Sequence, residues 1–113
     1  MSVSRSTLRA HSEFKRVYSA KTRLFRNGLV FYYRKADGVV FRFAVSVPKR
    51  YGKAVERNKV RRRLKEIIRT AETLPEMTEV VFGVNSKCSE LSYMKLKLAC
   101  DWAFEKMSRD KRR

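Results

Sequence analysis

Between residues 49 and 69 the chain reads KRYGKAVERNKVRRRLKEIIR, a dense run of cations threaded through an apolar pattern of helical period. That pairing constrains the fold more than any other feature of the chain. Wound at about 100° per residue, Val60, Leu64, Ile67, Ile68 and Ala71 gather on one side, and Asn58, Arg62, Lys65 and Arg69 on the opposite one. The apolar stripe needs a core to cover it. The basic stripe, flanked by Arg57, Arg61 and Arg63, is then held outward on a rigid element. Guanidinium groups fork onto phosphate oxygens, and an amide such as Asn58 both donates and accepts, so the pattern suits a sugar-phosphate backbone. A merely solvated face is the other reading, and it fits a few scattered lysines. It fits poorly here, because these cations repel one another and Glu56 and Glu66 are too few to offset them.

Composition extends the argument to all 113 residues: 28 Lys and Arg against 11 Asp and Glu leave a net charge of +17. Such a balance calls for nucleic acid, or less often an anionic membrane surface. With 43% hydrophobic and 12% aromatic residues this is no disordered basic tail. One domain with one core is expected, spanning about residues 8–107, with 108–113 as a charged, frayed end. No signal peptide is evident in 1–16, and the longest apolar run, 29–33, is far too short to span a bilayer, so the expected compartment is the cytoplasm, with no membrane partner. Cys88 and Cys100 lack both the density of a disulfide scaffold and the spacing of a zinc site, and His11 is the only histidine. Both cysteines are expected to be structural.

A pass along the chain gives an α+β pattern without repeats or an internal linker. Ser12 is expected to cap a short helix carrying Phe14, Val17 and Tyr18. Residues 29–35 read as a strand, 36–38 as a turn, and 39–47 as a second extended run with Phe41, Phe43, Val45 and Val47 on one face, ended by Pro48. The basic helix follows over 54–72, Leu74-Pro75 breaks the chain, and 79–84 reads as another strand. A last helix starts at Ser89 or Ser92 and runs to about Met107. It has one apolar stripe of Leu91, Met94, Leu98 and Trp102 and another of Leu96, Cys100, Ala103 and Met107, which together suggest burial on two sides.

The order of elements, the early Phe-x-x-x-aromatic helix, the entry Ser46-Val47-Pro48-Lys49-Arg50-x-Gly52-x-Ala54-Val55 and the following Arg57-Asn58-Lys59 resemble the protein subunit of bacterial ribonuclease P. The resemblance covers about residues 8–107, and its Gly-x-Ala-Val-x-Arg-Asn core is far more specific than a basic helix alone. It implies an α-β-β-β-α-β-α domain with the basic helix in a left-handed β-α-β crossover. Only two strands precede the basic helix in the reading above, so either 41–47 is split or a short strand is missing from it. In the family the Arg-Asn-Arg helix contacts the catalytic RNA subunit, which implies that role for Arg57, Asn58, Lys59, Arg61, Arg62 and Lys65. Here Lys59 stands where the family has Arg, keeping the charge but not the fork. Lys21 stands where relatives often have Gly.

The family also binds the 5′ leader of precursor tRNA between the first helix and the sheet, which by position implies Phe14, Tyr18 and Tyr32, with Lys15 and Arg16 and also Arg34 and Arg42 supplying charge. Aromatic faces beside basic residues do hold single strands. Core packing is the competing reading; it is favoured for Phe14 and Val17 and evenly balanced for Tyr18 and Tyr32. No set of clustered carboxylates or paired acid and base is visible, so no catalytic residue is assigned to the chain. The resemblance instead implies a tRNA-processing endonuclease in which the RNA subunit performs Mg²⁺-dependent hydrolysis, with one protein per RNA. A ribosomal or other structural RNA-binding role is the alternative.

Overall fold

The computed structural model describes residues 5–36, 41–85 and 92–110. Its elements are β1 (Arg5–Thr7), α1 (His11–Ser19), β2 (Arg23–Arg26), β3 (Leu29–Lys35), β4 (Phe41–Ser46), a 3-10 turn (Lys49–Tyr51), α2 (Ala54–Thr70), β5 (Thr78–Val84) and α3 (Tyr93–Arg109). They build one sheet in the order β1-β4-β5-β3-β2. Strands β4 and β5 are parallel neighbours joined through α2, while β2-β3 and β3-β5 are antiparallel.

Alternation along the strands divides the sheet into two faces. Leu29, Phe31, Tyr33, Phe41, Phe43, Val80, Phe82 and Val84 form one face, covered by Val60, Leu64, Ile67 and Ile68 of α2 and Leu96, Ala99, Cys100, Ala103, Phe104 and Met107 of α3. Phe41, Phe43, Phe82 and Phe104 meet there at ring distances of 5.9–6.5 Å. The α2 stripe is the one expected from its periodicity. The opposite face is only partly covered: α1 seals a smaller cluster of Leu8, Val17, Ala44 and Val81, with Phe14 and Tyr32 at its margin.

Several expectations are corrected. Strand β2 was missed, because Arg23-Leu24-Phe25-Arg26 has too little alternation to mark it; it is fixed by the two-residue turn Asn27-Gly28, with φ of 50° and 80°, which closes the hairpin between Arg26 and Leu29. Thus 41–47 is not split. A further short strand, β1, adds to the edge of β4 by parallel pairing, and Arg42 Nη2 donates to the Thr7 carbonyl at 3.4 Å. Helix α1 is not capped by Ser12. Its N-cap is Ala10, and Glu13 reaches back to accept from the backbone N–H groups of Arg9 (3.0 Å) and Ala10 (2.9 Å). Of the two starts considered for α3, Ser92 is the cap, its hydroxyl accepting from the Lys95 N–H at 3.3 Å. Burial of α3 on two sides is overturned, since Met94 and Leu98 are both 59% exposed. Cys100 is buried; Cys88, Ser89, Leu91 and the turn from Asp37 lie outside the described residues.

Lys21 explains how the chain does without a glycine after α1. It sits at φ 58°, and its N–H donates to the Tyr18 carbonyl at 3.2 Å, so a non-glycine residue occupies the left-handed position just past the helix end. The side chain there is strained by about 1–2 kcal/mol, against which glycine loses about 0.5–1 kcal/mol of chain entropy. Lys21→Gly should therefore raise stability by about 0.5–1 kcal/mol in urea denaturation, with an unchanged dependence on denaturant.

Candidate nucleic-acid interface

The strand register sets out the half-covered face of the sheet as three rows. Arg34, Glu79 and Arg42 are cross-strand neighbours in the first, Arg23, Tyr32, Val81 and Ala44 in the second, and Phe25, Val30, Gly83 and Ser46 in the third. Helix α1 lies over the first two rows and leaves the third open. What remains is a groove of about 730 Å³, lined by Tyr18 of α1, by Pro48 and by Arg50 of the 3-10 turn, with Val30, Tyr32 and Gly83 among the others. Gly83 keeps this groove deep. A Cβ at that position would come within 2.6 Å of the Val30 Cγ1.

The first row holds a group that sequence reasoning missed. Glu79 is fully buried and surrounded by arginines: Arg16 donates through Nε (3.1 Å) and Nη2 (2.6 Å), Arg34 through Nη1 (2.8 Å) and Arg42 through Nη1 (3.4 Å). Arg42 also pairs with Glu13. Burial by itself would raise the Glu79 carboxyl, but hydrogen bonds from Arg16 and Arg34 outweigh it and hold the group below its ordinary range. Glu13 is lowered to about 2, first by the backbone N–H groups of Ala10 and Arg9 and then by Arg42. Arg16 is raised in turn by its hydrogen bonds to Glu79. No periodicity announces such a site, because the partners come from four separate elements.

The residues singled out from the sequence fall into two groups. Tyr18, 42% exposed, and Tyr32, half-buried, meet edge to face at 4.8 Å and both line the groove. Burial and the neighbouring Tyr32 raise the Tyr18 phenol. Phe14 packs against the small cluster under α1 and does not line the groove; Lys15 is exposed beside it around a separate hollow with His11. Arg16, Arg34 and Arg42 are tied to carboxylates, and Arg16 keeps 44% of its side chain exposed. On α2, Asn58, Lys59, Arg62 and Lys65 are exposed, and Asn58 accepts from Arg61 at 3.3 Å. Arg57 is half-buried, and its Nε is enclosed without a hydrogen-bond partner. An enclosed donor without an acceptor costs about 1–3 kcal/mol, so this Nε does not itself support the fold. Among the described residues no group of three or more His, Cys, Asp or Glu could hold a metal ion, and no helix is long and apolar enough to cross a membrane.

Comparison with known proteins gives the family and the fold. The family model for ribonuclease P matches residues 3–108. The chain belongs to the ribonuclease P protein family. It is 36% identical over 92 residues to the ribonuclease P protein component of Phytoplasma australiense, spanning 80% of each chain, and 37% identical over 91 residues to that of Caldanaerobacter subterraneus, spanning 80% of this chain and 78% of the other. Its fold is shared with the ribonuclease P proteins of Thermotoga maritima (TM-score 0.80, 22% identity, 88% of this chain and 96% of that one) and Staphylococcus aureus (TM-score 0.78, 18% identity, 91% and 94%). The chain is thus a protein component of the family whose ribonuclease processes tRNA.

The ion cluster predicts a pH signature. Glu79 is depressed from an ordinary 4.5, so its contribution is complete above about pH 4.5 and is lost as pH falls through the lower folded value. Breaking a buried pair costs about 3–5 kcal/mol, and because the arginines are a quarter to nearly half exposed we expect Glu79→Gln to cost about 2–3 kcal/mol at neutral pH. Denaturant titrations of both proteins should converge below pH 4.5. A constant difference down to pH 2 would show that the charge of Glu79 is not what stabilises the fold.

Proposed function

We propose that this protein is the accessory subunit of a ribonuclease P holoenzyme. In this reading it binds the catalytic RNA through α2 and the 5′ leader of precursor tRNA through the groove beside α1. The observation that carries the reading is the junction of two surfaces: an open groove with an aromatic edge runs into Arg50, and the exposed cations of α2 begin a few residues later. A purely structural RNA-binding role would need only the second surface. Single strands are held by aromatic stacking beside cations, which Tyr18, Tyr32 and Arg50 offer. Phosphates are held by exposed forks and ammonium groups, which Arg62 and Lys65 offer on the side of α2 away from Leu64 and Ile68.

The chemistry assigned to the holoenzyme is Mg²⁺-dependent removal of the leader, with Mg²⁺ bound by the RNA and the phosphates it brings. This chain binds, orients and neutralises charge. The partners are one ribonuclease P RNA and precursor tRNA. Purified protein should leave precursor tRNA intact, and addition of a bacterial ribonuclease P RNA should restore 5′ maturation at low Mg²⁺. Cleavage at the mature 5′ end by protein alone would sink the accessory reading.

Two substitution sets separate the surfaces. Arg62→Ala with Lys65→Ala should preserve the circular-dichroism spectrum while weakening binding to the RNA subunit and reducing the slope of log affinity against log salt by about one unit per lost phosphate contact. Tyr18→Ala with Tyr32→Ala should weaken holoenzyme binding to leader-bearing precursor tRNA by about 1–3 kcal/mol. Affinity for mature tRNA should be retained. An equal loss with and without a leader would assign both tyrosines to the core instead.

A further inference from the structure

Phe25 is a large aromatic side chain that the fold does not use. It is 62% exposed, and it sits on β2, the edge strand of the sheet. The hairpin register pairs Phe25 with Val30 and Arg23 with Tyr32, so Phe25 and Arg23 project on the same face as the two groove residues of β3. Phe25 is therefore the diagonal neighbour of Tyr32 across an antiparallel pair, a separation of about 7–8 Å that aromatic side chains can bridge. It lines the same groove as Tyr18, Tyr32 and Arg50. The Arg23 guanidinium lies 5.4 Å from the centre of its ring.

We propose that Phe25 is a further stacking platform for single-stranded RNA, taking one leader nucleotide beyond those held at Tyr18 and Tyr32, with Arg23 beside it for the adjoining phosphate. The assignment rests on the leader-binding reading of the groove. Its physical basis is that an apolar ring left in water at the rim of a cationic groove gains from a base laid upon it, and every base has a face to offer. The ring already carries one guanidinium at stacking distance, so base, ring and cation complete a layered contact. Single-stranded RNA is the occupant favoured because the surroundings are cationic: Arg23 lies against the ring, Arg50 and Arg26 line the same groove, the Arg26 guanidinium lying 4.8 Å from the Trp102 ring centre, and no carboxylate lines the groove among the described residues.

The test uses holoenzyme reconstituted with a bacterial ribonuclease P RNA and precursor tRNAs whose leaders grow one nucleotide at a time. Wild type should gain affinity in steps. Phe25→Ala should erase one step of about fivefold or more, at a leader length different from the step erased by Tyr32→Ala, and leave leaderless tRNA unaffected. Phe25→Trp should restore that step, whereas Phe25→Leu, similarly apolar but without a π-face, should not. A 2-aminopurine placed at the corresponding leader position should brighten in Phe25→Ala. If Phe25→Ala matches wild type at every length while Tyr32→Ala still weakens leader binding, the platform is refuted and the groove reading stands. If neither substitution changes any step, the groove reading falls and the platform with it. An equal loss on leaderless tRNA would likewise overturn the role given to Phe25.

Discussion

A single buried carboxylate organises the surface on which this protein depends. Glu79 lies on the central strand β5 between Arg34 of β3 and Arg42 of β4, and Arg16 closes over it from α1. A lone ionised carboxylate without exposure would cost several kcal/mol, and here charge-assisted hydrogen bonds from three guanidinium groups offset that penalty. The geometry follows from the sum. Arg16 over Glu79, together with Val17 packed on Ala44 and Val81, lays α1 along the first two rows of the sheet, and Tyr18, two residues on, meets Tyr32 at the mouth of the groove. Glu79 is thus tied to the groove through position rather than contact.

The same cluster redistributes charge. Arg16, Arg34 and Arg42 would nominally add three positive charges beside the groove, yet Glu79 and Glu13 neutralise two of them through direct ion pairs. The groove's own cations are Arg26 and Arg50, both exposed, with Arg23 at its rim. On α2 the situation is reversed: seven cations face two carboxylates, and among the described residues only Arg69 is ion-paired, with Glu66 at 2.5 Å. An isolated helix of that sequence would be weakened by self-repulsion. Burial of Val60, Leu64, Ile67 and Ile68, each contributing about 1.5–3 kcal/mol, holds it to the sheet without neutralising the face that looks outward.

How much of this was legible in the sequence depends on whether the signal was local. The α2 stripe and strand β3 follow from periodicity within a few residues, and the structure has them as expected, while Ser92 is one of the two starts read for α3. The Asn27-Gly28 turn was also local and could have revealed β2, had turn chemistry been weighed above the weak alternation of Arg23–Arg26. Strand β1 had no such signal, since a run of Arg5, Ser6 and Thr7 carries no apolar alternation and its place is set by pairing with the distant β4. The two stripes of α3 were legible as stripes, but nothing in the sequence says that the sheet covers Leu96, Cys100, Ala103 and Met107 and leaves Met94 and Leu98 in water. The ion pair of Arg16 was hidden for the same reason, since its partner Glu79 is 63 residues away.

The two surfaces are also coupled by chain continuity. Ser46 ends β4 on the floor of the groove, Pro48 stops the ladder, Arg50 turns in the 3-10 segment, and Ala54 begins the basic helix. Val47 is buried in the main core immediately before the turn, and Val60 is buried soon after it, so this link is anchored at both ends rather than hinged. On the proposed reading, a leader lying in the groove is therefore held in a fixed relation to the RNA phosphates along α2. Such fixed placement of substrate against catalyst is what an accessory subunit without reacting groups of its own can contribute, because pre-set orientation lowers the barrier to a reaction that another molecule performs.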